Sequence, residues 1–104
     1  MHIQIVTYRV EGVSDADFVE ANTEFAAAMA AVLGLLAKVW LKKPASDGYG
    51  GLYLWRDREA YEAFLASELW AEVLNDASML DVKSAHYGVM EELTRATQPG
   101  LRVL

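Results

Sequence analysis

The feature that most constrains this chain is a pair of alternating stretches that carry large apolar or aromatic residues on both faces. From Leu36 to Lys43, Lys38, Trp40 and Lys42 interleave with Ala37, Val39 and Leu41; from Gly51 to Arg56, Tyr53 and Trp55 interleave with Leu52 and Leu54. A period of two is that of a strand. Pro44 and Asp47-Gly48 break the pattern between them, which predicts a hairpin with a longish loop. Asp57 then stands as the N-cap of a helix carrying Ala60, Tyr61, Phe64 and Leu65 on one side. A sheet face left to water should be polar. These strands have no such face, so a second copy of the chain is expected to cover whatever the helices do not.

The remainder fits around that hairpin. His2 to Val10 reads as a strand with Ile3, Ile5 and Thr7 on one face and Gln4, Val6 and Tyr8 on the other. Ser14, with Asp17 three residues on, predicts a capping box. The helix it opens bears a stripe of Phe18, Asn22, Phe25, Met29 and Val32, with Phe25 and Met29 expected to be buried, and Gly34 as its closing residue. Ser67 can cap a shorter segment with Leu69, Trp70, Val73 and Leu74 as its apolar side. Asn75 to Ser78 reads as a turn, Asp81 to Val89 as the last strand, and Met90 to Thr97 as a final turn or two of helix stopped by Gln98-Pro99-Gly100. The order β-α-β-β-α-β predicts a single α+β domain over residues 1–104, a ferredoxin-like sandwich with an antiparallel sheet. Right-handed crossovers put both main helices on one side of it.

Composition bounds the function. With 54% hydrophobic residues the chain is not disordered. No apolar run reaches the ~18 residues of a membrane span, and no basic stretch followed by an apolar one opens the chain, so a cytoplasmic protein is expected, without a membrane partner. Zero cysteines exclude disulfides, thiolate nucleophiles and zinc-cysteine sites. A net charge of −6 opposes nucleic-acid binding. The element order is shared with RNA-recognition modules, and Gly48-Tyr49-Gly50-Gly51-Leu52-Tyr53-Leu54-Trp55 superficially resembles their third-strand motif; Asp47 stands where that motif needs a base, and the reading is rejected.

Lys38-Val39-Trp40, Gly50-Gly51-Leu52-Tyr53-Leu54 and the helix start Asp57-Arg58-Glu59-Ala60 resemble the YdhR-like monooxygenase family of the dimeric α+β barrel superfamily. The similarity is strongest from about Gly34 to Leu65. It implies a homodimer whose two sheets form a dimeric α+β barrel, with a small pocket in each subunit between sheet and helices. It also implies oxidation of aromatic compounds with O2 and no cofactor. Haem-degrading members of the superfamily use a histidine of the second helix; Tyr61 to Ser67 contains none, so no haem is expected.

The candidate residues follow from what such chemistry needs. A phenol or hydroquinone must lose a proton, be held in a dry pocket and have its anion stabilised. His86, the only internal side chain whose ordinary pKa is near neutrality, is the candidate for the proton step. Asn22, an amide on an apolar stripe, must meet a backbone group, a water or a ligand, and is the second catalytic candidate. Trp40, Tyr53, Trp55 and Tyr8 are candidate pocket walls, with barrel core or dimer interface as the competing role. Lys38, beside Trp40, reads as a solvated or snorkelling side chain. With two histidines and no carboxylate at helical spacing from either, no metal site is expected. The reading is thus a cofactor-independent monooxygenase acting on a small aromatic ligand, with a non-catalytic dimeric binding or structural protein as its alternative.

Overall fold

Alternation in the first strand decides which side of the sheet the helices cover. In the computed structural model, which describes residues 1–104, β1 (His2–Arg9) buries His2, Gln4, Val6 and Tyr8, and turns Ile3, Ile5 and Thr7 the other way. The buried set contains the polar residues, which works because each finds a partner. Gln4 is fully buried; its Oε1 accepts from Trp55 Nε1 at 3.1 Å and its Nε2 donates to Ser84 Oγ at 3.1 Å.

The elements continue as α1 (Asp15–Ala30), β2 (Leu35–Lys42), β3 (Gly48–Trp55), α2 (Arg58–Leu65), α3 (Glu68–Asn75), β4 (Leu80–Gly88) and α4 (Glu91–Ala96). The sheet order is β2-β3-β1-β4, and every neighbouring pair is antiparallel, as a ferredoxin-like sandwich requires. The expected barrel is corrected by this topology. β2 and β4 are free edges separated by two strands, and a sheet becomes a barrel only when its outer strands pair. The sheet is open.

Three helices start where their caps stand. Ser14 Oγ accepts from Asp17 N, Asp57 Oδ1 from Ala60 N and Ser67 Oγ from Trp70 N. Two boundaries differ from the sequence reading by more than one residue. α1 stops at Ala30, with Ala31 N–H bonded back to Ala28 and Met29 carbonyls. Gly34 instead makes the turn into β2 at φ +85°, where a Cβ would lie 2.5 Å from Ala60 Cβ. β3 begins three residues early, because Gly48 to Gly51 pair with Arg9 to Val6 although glycine has little strand preference.

The core lies between sheet and helices, around Val6, Tyr53, Trp55, Phe64, Trp70 and Val73. The other face is open and apolar: Ile3, Ile5, Leu52 and Leu54 are half-buried, while Val39, Leu41 and Tyr87 are exposed. No helix is long and apolar enough to cross a membrane.

Candidate functional site

The long helix is less firmly seated than the two short ones. α2 buries Ala60, Tyr61 and Phe64, and α3 buries Trp70 and Val73, whereas sixteen-residue α1 buries Met29 alone. Phe25, expected to be buried, is only half-buried. Aromatic rings act as struts beneath α1. Phe18 stacks on Tyr49 with centroids 4.0 Å apart, and Phe18 and Phe25 meet Trp40 edge-on at 6.2 and 6.5 Å.

The space so preserved is a cavity of about 210 Å³. Val6, Tyr8 and Tyr53 form its sheet side with Lys38 and Trp40, Asn22 and Phe25 its α1 side, and Val73, Glu72 and Asp76 its α3 end. A shallower groove of about 470 Å³ lies between α1 and edge strand β2 and shares Asn22 and Trp40 as walls. Of the six candidate residues, the structure therefore brings Asn22, Trp40, Tyr53 and Tyr8 to one cavity.

Asn22 Nδ2 donates to the Phe18 carbonyl at 2.9 Å, which meets the backbone alternative for this amide and leaves its Oδ1 without a donor. Burial pushes the Tyr8 hydroxyl up to about 12, helped by Asp76, and raises Tyr53 still more; both remain neutral O–H groups at any ordinary pH.

His86 and Trp55 lie elsewhere. Trp55 has 0% exposure and gives its N–H to Gln4, so it is core and not a pocket wall. His86 is exposed on edge strand β4, its Nδ1 2.7 Å from His2 Nε2 and its ring stacked on Tyr61 at 4.7 Å. It lines none of the three main cavities, and that position removes the reason for giving it the proton step. No group of three or more His, Cys, Asp or Glu is gathered as a metal site would need.

The residue missed by sequence reasoning is Lys38. Its Nζ lies 3.6 Å from the centroid of Trp40, 4.5 Å from Tyr53 and 5.0 Å from Phe25, well inside cation-π range. Burial lowers its pKa to about 8. Gly51 makes the room, since a Cβ there would come within 2.9 Å of Lys38 Cε. The available signal is Lys38 on the same strand face as the candidate pocket walls Trp40 and Tyr53, although a lysine in that position reads as a solvated or snorkelling side chain.

Comparison with known proteins places this geometry. The family described as "Putative mono-oxygenase ydhR" matches residues 3–99. A search of curated proteins gave no match. Among solved structures, a "putative antibiotic biosynthesis monooxygenase" from Deinococcus radiodurans is 18% identical with a TM-score of 0.71, over 88% of this chain and 94% of that one. SnoaB, a cofactor-independent oxygenase from Streptomyces nogalater, is 19% identical with a TM-score of 0.66, over 85% of this chain and 92% of that one. A "putative antibiotic biosynthesis monooxygenase" from Nitrosomonas europaea is 16% identical with a TM-score of 0.69, over 86% and 99%. At these identities the likeness speaks to the fold alone.

Proposed function

Because the chain belongs to the family described as "Putative mono-oxygenase ydhR", we propose that it is a cofactor-independent monooxygenase of small phenol- or hydroquinone-type aromatics, working in the cavity beneath α1. The observation that carries the reading is the cavity itself. Eight of its twelve lining residues are apolar or aromatic, and Asn22, Lys38, Glu72 and Asp76 bring polar groups to the same small space, the mixture that orients a ligand. Benzene fits a cavity of about 150 Å³, so about 210 Å³ suits one substituted ring. A second or third ring would have to reach the outer groove between Asn22 and Trp40.

The chemistry needs no external reductant. A phenolate passes an electron to O2, the two radicals combine at a ring carbon, and the resulting hydroperoxide loses water to leave a quinone. One oxygen atom ends in the product and one in water, and all the electrons come from the substrate. For this the chain supplies a partly apolar pocket, an indole and rings to hold the substrate plane, and O–H donors from Tyr8 and Tyr53 for a developing oxyanion. Asn22 Oδ1 can accept from a second substrate hydroxyl. The same proposal has the protein working as a homodimer, with the open apolar sheet faces against each other.

O2 consumption by purified protein with a panel of hydroquinones tests the reading. The expected result is uptake above autoxidation, with Trp40→Ala raising KM and Asn22→Ala lowering kcat about 10-fold or more. Uptake no greater than without protein, across the panel, contradicts it.

A further inference from the structure

The least expected group in the cavity is the amine of Lys38. Lys42, four residues on along the same strand face, reaches Asp15 Oδ1 at 3.9 Å and Ser46 O. Lys38 has neither ion pair nor hydrogen bond; its Nζ is held over the faces of Trp40, Tyr53 and Phe25. The other charged or titratable groups of the cavity are the hydroxyls of Tyr8 and Tyr53 and the exposed carboxylates of Glu72 on α3 and Asp76 at its C-cap; α1 contributes none. None of them is a counter-ion to the amine, since no carboxylate oxygen comes within 4.0 Å of Lys38 Nζ, whereas Lys42 does reach one.

We infer that Lys38 is the residue that receives the substrate's hydroxyl, its amine taking the proton and the resulting ammonium pairing with the phenolate above Trp40. The apolar rings attract a cation through their faces but cannot neutralise it. An entering phenolate supplies the missing opposite charge inside a partly dry space, where a charge-assisted hydrogen bond is strongest. The amine is also matched to its task, because with a pKa near 8 both of its forms are present around neutral pH. The cavity therefore selects aromatics that carry an ionisable hydroxyl over isosteres that lack one.

The step balances. Neutral Lys38 Nζ takes the hydroxyl proton, breaking O–H and forming N–H. After O2 adds to the ring, the ammonium returns that proton to the peroxide anion and the amine is neutral again. Loss of the ring proton with hydroxide, together water, then leaves the quinone. The inference rests on the monooxygenase reading for the O2 step but not for binding and proton transfer.

Binding of 4-nitrophenol, whose phenolate alone is yellow, separates the two. Below the probe's own pKa, the wild-type chain should bind it as the yellow anion, while Lys38→Met should bind it about 10-fold or more weakly and without colour. Lys38→Gln, which keeps a polar head without the charge, should behave as Lys38→Met does and serves if that variant does not fold. A yellow complex equally tight in either variant, or a colourless wild-type complex, overturns the inference. Yellow binding by wild type with no hydroquinone-dependent O2 uptake would sink the monooxygenase reading and leave the role of Lys38 standing; undiminished uptake by Lys38→Met would do the reverse.

Discussion

A lysine held among aromatic rings has a cost that pH exposes. The ordinary pKa of 10.5 falls to about 8 in the folded chain, so between those values the unfolded chain holds a proton that the folded one lacks. Stability therefore rises as pH climbs from about 8 towards 10.5. Tyr8, Tyr53 and Tyr61, all raised by burial, act with the opposite sign above 10, where unfolded tyrosine ionises first. Lys38→Met isolates the lysine's share. The variant should be more stable than wild type by about 2–3 kcal/mol at neutral pH, with the difference fading as pH climbs from about 8 to 10.5. Urea denaturation of both proteins at neutral and at high pH checks this; a difference independent of pH would show that burial does not disfavour the charge. Why Lys38 was illegible from sequence follows from the same physics. A lysine between aromatic residues normally carries its head out to water, and nothing in the one-dimensional pattern reveals that α1 stands far enough from the sheet to keep that head in. That Trp40 shares a strand face with Tyr53, and that Asn22 shares a helix stripe with Phe25, is legible because each lies on a stripe whose period is that of its own element; which sheet face looks onto the cavity is not. His86 was singled out for its chemistry alone, and chemistry without position does not make a site.

At the scale of the element, α1 decides whether there is a cavity. Met29 has 1% exposure and anchors its C-terminal end, so Met29→Ala should cost about 2–5 kcal/mol. Phe25 is a strut with one side on the cavity. Its replacement by alanine should cost less than Met29→Ala, about 1–2 kcal/mol, and should enlarge the space beside Trp40. Asn22→Ala loses only a bond to a carbonyl in its own helix and should stay within about 1 kcal/mol of wild type. Thermal or urea denaturation of the three variants checks the ranking; Phe25→Ala as damaging as Met29→Ala would mean that α1 is seated directly on the sheet. The starts of α1, α2 and α3 were readable because Ser14, Asp57 and Ser67 have side chains that satisfy free amides. The end of α1 and the start of β3 were not, since both turn on glycines whose roles, a contact with Ala60 and pairing with β1, are set by distant segments.

For the whole molecule the two-sided patterning of the strands has a consequence the single chain does not satisfy. The open face presents Ile3, Ile5, Leu52, Leu54, Val39 and Leu41 together, and a contiguous apolar face with no cover in the chain is the kind of surface that marks an interaction site. A homodimer through that face should bury more than about 2,000 Å² in total. Light scattering at micromolar concentration should then give twice the 11.5 kDa chain mass. Val39→Glu, at a side chain already 52% exposed in the monomer, should reduce it to a folded monomer. A wild-type monomer under those conditions counts against the pairing. The claim that joins cavity, lysine and fold is that substrate electrons alone drive oxygen insertion. Its most direct measurement is turnover of a hydroquinone or phenol under isotopically heavy O2, in protein treated with a chelator, followed by mass spectrometry of the product. The account predicts one heavy oxygen atom in each quinone formed and undiminished turnover after chelation; product without the label, or turnover that the chelator abolishes, would contradict it.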